Sequence, residues 1–230
     1  GRPTLWSIWG IPQAINAGDA LFTLAYQAMI DLQTRSLPAA CVLQAIDRYT
    51  SATLKITEGQ CMDIAFETQH EVSESDYLSM IDGKTAALVG LASELGGIIA
   101  GASEARCEHL RTFGIALGKA FQMQDDLLGL WGDPEKTGKP VGSDIHKHKK
   151  TLPIIYGKEH DRDLATLLNK PSLNDEEVTQ ALSLLEAAGS RAYTETQAER
   201  YHREALESLD KAGGQGAAHD TIRHLVMSLL

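Results

Sequence analysis

The chain is short of several things, and each shortage excludes a class of protein. Cysteine is scarce: Cys41, Cys61 and Cys107 are the only three. Odd in number and far apart, they make neither a disulfide framework nor a metal-binding spacing, so buried thiols in a reducing cytoplasmic setting are expected. Basic charge is short, with 21 Lys and Arg against 31 Asp and Glu. That balance excludes nucleic acid as the main partner, because a phosphate backbone needs a basic surface, although a local basic patch for a small anion remains allowed. No apolar run approaches the roughly 20 residues of a membrane span, and no signal peptide is visible. Aromatic residues make up only 6% of the chain, yet hydrophobic residues reach 43% of its 230 positions. That is enough for a stable core in one globular unit. β-Branched residues never alternate over a useful length, so strands are not expected.

What is present is helical periodicity almost throughout. The spacing of apolar residues predicts helices over 13–33, 39–68, 75–100, 105–131, 161–169, 175–188, 191–211 and 218–229. Ser73 with Asp76, and Asn174 with Glu177, have the spacing of capping boxes. The opening GRPTLWSIWGIP reads as a loop feeding straight into a helix, as in the middle of a longer protein. The segment 132–152 reads as one long irregular connection, and a loop of that length in a compact domain is usually functional or disordered. The chain is expected to form a single domain over 1–230, with 161–230 as peripheral helices.

Three of these helices carry polar residues on their inward stripes. Tyr77, Ile81, Lys84, Leu88, Leu91 and Leu95 are spaced by three and four, which puts Lys84 on a core-facing line. In 39–68 the stripe Ile46, Tyr49, Thr53 and Ile56 runs on into Gln60 and Asp63. In 105–131, Gln122, Asp125, Asp126 and Gly129 share a face beside Leu110, Phe113, Leu117, Phe121 and Leu128. One such residue means little, since a lysine on a stripe more often snorkels to solvent. Three helices with the same anomaly point to a shared polar cavity inside a bundle.

The stretch 121–153 concentrates the chemistry. It opens on Asp125 and Asp126 and closes on Lys147, Lys149 and Lys150, with a Gly-, Pro- and Asp-rich loop between them. Two carboxylates roughly 5 Å apart repel by about 3 kcal/mol at an effective dielectric of 20, so protons or cations must offset the pair. Oxygen ligands without nearby His or Cys suit Mg²⁺, which takes one or two carboxylates plus phosphate oxygens. A bare Asp-Asp is common on solvated helix ends, and lysine runs are usually solvated turns. Here the acid pair keeps company with Gln122, Lys139 and Lys149, which favours a metal-bridged phosphate or diphosphate. His146 and His148, two apart in a basic loop, make a poor zinc site.

These residues resemble the trans-isoprenyl diphosphate synthase (polyprenyl synthetase) family. The resemblance rests on Phe121-Gln122-x-x-Asp125-Asp126, Gly132-Asp133-Pro134, Gly138-Lys139-Pro140, Asp144 and Lys149-x-Thr151-Leu152-Pro153. Upstream it rests on Gly59-Gln60-x-x-Asp63, Lys84-Thr85, Asn16-x-Gly18-Asp19-x-Leu21 and Gly1-x-Pro3-Thr4. It implies an all-α, isoprenoid-synthase-type helical bundle around a central cavity, here without its N-terminal helices. It implies a Mg²⁺-assisted prenyltransferase that condenses an allylic diphosphate with isopentenyl diphosphate, usually as a homodimer. By resemblance Asp125 is the main metal ligand with Asp126 in support. Lys84, Lys139 and Lys149 hold the allylic diphosphate, Thr85, Gln122 and Asp144 orient groups around it, and Gln60 and Asp63 line the cavity.

Two departures stand out. The second aspartate-rich motif of the family reads DDxxD, and its last position here is Gly129, so weaker metal support is expected. The first aspartate-rich motif and its Arg-Arg pair would precede residue 1, and the chain alone is expected to be inactive in elongation. Two other readings remain at this point: a non-catalytic subunit that tunes an active synthase, and a class I terpene synthase using the same ionisation.

Overall fold

The computed structural model describes residues 2–138 and 140–228, and all regular structure among them is helical. In chain order the helices are α1 (Leu5–Ile30), α2 (Ala39–Phe66), α3 (Glu74–Ile81), α4 (Ala87–Ile99), α5 (Glu104–Trp131), α6 (Pro134–Thr137), α7 (Ser143–His146), α8 (Leu152–His160), α9 (Arg162–Leu168), α10 (Asp175–Ala187), α11 (Ser190–Lys211) and α12 (Ala217–Met227). Among the described residues no helix is long and apolar enough to cross a membrane.

Local signals set the helix starts. Both expected capping boxes form: the Ser73 hydroxyl accepts from the Asp76 N–H, and the Asn174 side chain accepts from the Glu177 N–H. The N-terminal stretch departs from the loop expectation, because residues from Leu5 are already helical. The chain breaks at Gly10 (φ 80°) and restarts around Pro12, whose fixed φ suits a first helical turn. The long connection 132–152 is also less irregular than expected, since it holds the one-turn helices α6 and α7. Helix α8 has no counterpart in the expected set. Its signal is Pro153 in the first turn after Thr151, a position where a missing N–H costs nothing.

The core is layered on α5. Helix α4 packs along one side of it and α2 packs on α4. Helix α11 runs along another side of α5 and buries Thr194, Ala198, Ala205 and Leu209. The region 161–230 is therefore not peripheral as expected, because one of its helices is a wall of the core. Tyr77, Met80, Ile81, Met123, Leu152 and Ile155 form one apolar cluster beneath the polar residues of α5. Leu130, Ile145, Ile154, Leu164, Val178 and Leu185 form another, which anchors the 132–152 connection.

The segment Asp82–Ala86 between α3 and α4 is a π-helical turn. A π turn adds one residue to the helix and shifts the phase of everything after it. Leu88, placed on the buried stripe by unbroken periodicity, is 56% exposed, while Leu91 and Leu95 of that stripe are buried together with Ala87 and Gly90. Phe121 and Leu128 on α5 are exposed as well, and α1 exposes Trp6, Trp9, Ile11 and Leu21. Of the three cysteines, only Cys107 is buried; Cys41 is half-buried and Cys61 exposed, so the expectation of buried thiols fails for Cys61.

Candidate active site

The close approach of α2 to the π turn places the first site residues. A Cβ on Gly59 would lie 2.2 Å from the Lys84 amide nitrogen, and one on Gly83 would lie 2.6 Å from the Lys55 carbonyl oxygen. Backbone therefore meets backbone at this crossing, which only glycine allows. It brings Lys84 over the last turns of α2, where its ammonium donates to Asp63 Oδ2 at 2.5 Å with both side chains about one-third exposed. The next residue turns toward α5, and the Thr85 hydroxyl donates to Gln122 Oε1 at 2.8 Å. Gln60, one residue past the contact, is exposed on α2.

Asp126 is the hub of the polar groups. It is 2% exposed. Its Oδ2 accepts from the Tyr77 hydroxyl at 2.6 Å and from the Leu152 N–H at 3.2 Å, and its Oδ1 accepts from Gln122 Nε2 at 3.1 Å. Burial pushes its carboxyl up to about 7, against the hydrogen bonds from Tyr77, Gln122 and Leu152 that favour the ionised form; the nearby Asp144 charge adds to the rise. Burial likewise raises the Tyr77 hydroxyl well above its ordinary value, reinforced by Asp126. Both Asp126 oxygens are thus engaged inside the protein. Asp125, one residue earlier and so about 100° around the helix, is only half-buried.

The basic end of the segment closes onto the same place. Asp144 is 2% exposed and pairs with the Lys149 ammonium at 3.3 Å, while the Lys149 N–H donates to the Asp144 carbonyl at 3.0 Å. Burial pulls the Lys149 ammonium down, but Asp144, then Asp125 and Asp126, outweigh it and leave it raised. Lys150, by contrast, is lowered by burial. Lys139 and Gly1 lie outside the described residues. The structure thus brings together Lys84, Thr85, Gln122, Asp125, Asp126, Asp144 and Lys149, with Asp63 on the α2 side.

Gly129, the position that departs from DDxxD, has a structural reason. A Cβ there would sit 2.2 Å from Asp144 Oδ2 and 2.6 Å from its carboxyl carbon. The Asp144 carboxylate fills the space a side chain at 129 would need. The Ser143 hydroxyl ties the two strands of the turn by donating to the Gly129 carbonyl at 3.2 Å.

The donor set suits a hard cation that shares its coordination with a ligand. The acidic groups are carboxylates with no histidine or cysteine among them, and among the described residues no three His, Cys, Asp or Glu groups are placed to hold a metal by themselves. An ion at Asp125 would take most of its oxygens from phosphate and water, as Mg²⁺ does. Sequence reasoning missed Tyr77 as a polar participant. The available signal was a tyrosine on an apolar stripe, since a buried phenol needs a partner.

The polyprenyl synthetase family profile matches residues 1–185. The chain belongs to the polyprenyl synthetase family. It is 38% identical over 220 residues to the (2E,6E)-farnesyl diphosphate synthase of Mycobacterium tuberculosis, covering 92% of this chain and 60% of that protein. It is 36% identical over 220 residues to the geranylgeranyl diphosphate synthase of Sulfolobus acidocaldarius, covering 94% of this chain and 66% of the relative. Among solved structures, the geranylgeranyl pyrophosphate synthetase of Pyrococcus horikoshii superposes with a TM-score of 0.91 at 34% identity, over 100% of this chain and 70% of that one. The polyprenyl synthetase of Streptomyces coelicolor superposes with a TM-score of 0.87 at 36% identity, over 99% and 68%. The chain therefore spans 60% of the length of the farnesyl diphosphate synthase it matches. Those structures superpose on the helical architecture described above.

Proposed function

We propose that the protein containing this chain is a short-chain prenyltransferase that joins an allylic diphosphate to isopentenyl diphosphate. The observation that carries the reading is the convergence of Lys84, Thr85, Gln122, Asp125 and Lys149 from three separate parts of the chain. Lys84 and Lys149, with Lys139, hold the allylic diphosphate and stabilise the charge that develops on it as it leaves. The allylic C–O bond breaks with its electrons leaving on diphosphate, the isopentenyl double bond supplies the pair for the new C–C bond, and a proton departs from the adjacent carbon. Asp125 would hold Mg²⁺, which would supply neutralisation of charge on the leaving diphosphate. Gln60 and Asp63 line the cavity beside the reacting carbons, and Thr85 and Gln122 present polar atoms to it. Relatives named farnesyl diphosphate synthase and geranylgeranyl diphosphate synthase support the short-chain assignment.

The remaining expectations stand with this reading: a single unit over 1–230, cytoplasmic location and a homodimer, the last supported by the unshielded apolar side chains of α1. The Asp144 carboxylate in the Gly129 position gives that departure from the motif a packing reason. The test supplies the protein, together with whatever precedes residue 1, with Mg²⁺ and both diphosphates. Diphosphate release and a chain-elongated product are expected, and Asp125→Ala should lower kcat by orders of magnitude. Near-normal turnover in that variant would show the metal assignment to be wrong.

A further inference from the structure

We infer that Asp126, anchored by Tyr77, is a positioning residue that sets the donor–acceptor polarity of Gln122 and Thr85, and is not a metal ligand. The inference rests on the proposed function for what adjoins Thr85. It follows from the direction of each hydrogen bond. Asp126 is almost wholly buried, and Tyr77 and the Leu152 N–H both donate to its Oδ2. Those two donors come from α3 and from the start of α8, so the carboxylate is held from opposite sides and its remaining oxygen faces Gln122. That oxygen accepts from Gln122 Nε2 at 3.1 Å. With its NH₂ spent on Asp126, the Gln122 amide has only its carbonyl for Thr85, whose hydroxyl donates to it at 2.8 Å.

The outcome is a chain of commitments running one way. Once its single proton is given to Gln122, the Thr85 hydroxyl is an acceptor to anything else beside it. An allylic cation forming there meets lone pairs and not O–H or N–H dipoles, which lowers the energy of positive charge where it develops. Tyr77 matters because it fixes which Asp126 oxygen points at Gln122. None of this requires Asp126 to leave its buried position to meet a metal.

The inference predicts the effect of a near-isosteric change. In Asp126→Asn, Tyr77 and the Leu152 N–H still demand an acceptor, so the new carbonyl takes the Oδ2 position and the new NH₂ faces Gln122. Two donors then oppose each other. The Gln122 amide must turn over, its NH₂ faces Thr85, and the Thr85 proton is released toward the ligand. The acceptor face becomes a donor face with the charged groups untouched.

The experiment compares Asp126→Asn, Asp125→Asn, Tyr77→Phe, Thr85→Val and Thr85→Ser in the protein with whatever precedes residue 1. It measures kcat, the KM for the allylic diphosphate and the Mg²⁺ concentration for half-activity. Calorimetry of an allylic thiolodiphosphate with Mg²⁺ adds a binding readout independent of turnover. Asp126→Asn is expected to lose about 100-fold in kcat, the scale of a misplaced reacting group, with Mg²⁺ requirement and thiolodiphosphate affinity unchanged within about threefold. Asp125→Asn is expected to shift both by about tenfold or more. Tyr77→Phe should fall in the same direction as Asp126→Asn but less, because the Leu152 donor remains. Thr85→Val, which leaves the buried hub intact, should lose kcat without losing affinity, and Thr85→Ser should restore it; these two decide the matter if Asp126→Asn does not fold. A shift in Mg²⁺ requirement for Asp126→Asn equal to that of Asp125→Asn would overturn the inference, as would unchanged kcat in Asp126→Asn or Thr85→Val. Absence of turnover in the unsubstituted protein would instead defeat the proposed function, and the calorimetric comparison of Asp126→Asn with Asp125→Asn would still separate strut from ligand.

Discussion

The Asp144 carboxylate occupies the space of a side chain at Gly129, approaching to 2.2 Å of where a Cβ would stand. Restoring the family aspartate by Gly129→Asp should therefore harm the protein. Overpacking at a buried contact typically costs ~1–3 kcal/mol, which lowers Tm by several degrees in a chain of this size. A thermal melt reads it directly. The cost of Gly129→Ala should shrink when Asp144 is also replaced by Ala, and an additive pair would refute the contact.

Gly59→Ala should act on the site from outside it. The added methyl would push on the Lys84 amide and the π turn, with little room to yield because the neighbours are backbone atoms. A loss of ~1–3 kcal/mol in stability is expected, accompanied by a raised KM for the allylic diphosphate as Lys84 and Thr85 shift. Denaturant unfolding with steady-state kinetics checks both, and unchanged KM in a destabilised variant would separate fold from site.

Under the proposed function, Lys84→Ala would remove a charge-assisted contact to the diphosphate. Such bonds contribute about 1.5–3 kcal/mol, so KM should rise on the order of 10- to 100-fold. Titration with the allylic diphosphate measures it, and a variant binding as well as the parent would remove Lys84 from the ligand.

Glu94 carries a pH signature away from the site. It is 5% exposed, beside Arg48 at 3.0 Å in an ion pair, next to a cavity of about 250 Å³ lined also by Arg111 and Glu108. Burial raises its carboxyl above the ordinary value, and Arg48 offsets only part of that rise. A raised folded-state value means that ionisation opposes folding. This stabilising difference is present below the ordinary carboxylate value and is lost as pH rises through the folded one. Glu94→Gln should therefore match the parent near pH 4 and gain on it as pH rises toward neutrality. Paired melts across that window decide it, and a constant difference would place the shift elsewhere.

Much of this was readable along the chain. Among the described residues from Ala39 onward, helices form within a residue or two of the expected bounds, except that the single helix expected over 75–100 is divided by the π turn into α3 and α4; a 3.6-residue period and the Ser73 and Asn174 caps are local properties. The order of Gln60, Asp63, Lys84, Thr85, Gln122, Asp125 and Lys149 was enough to suggest the family. Leu88 is exposed where the unbroken period places it inward, and the Gly59–Gly83 approach joins positions far apart in the chain. Tyr77 was seen only as an apolar stripe member because its partner, Asp126, lies on another helix.

By itself the sequence determined a helical chain with an acid pair, a turn-rich connection and a lysine-rich close, since period, capping and motif spacing depend on neighbours in the chain. Only the tertiary structure decided which member of the acid pair faces inward. Asp125 and Asp126 are chemically identical and point about 100° apart on one helix, so their roles depend on where Tyr77, Leu152 and Gln122 arrive. Tertiary structure also decided that Gly129 is occupied by Asp144, fifteen positions on, because that meeting depends on how the connection folds back over α5.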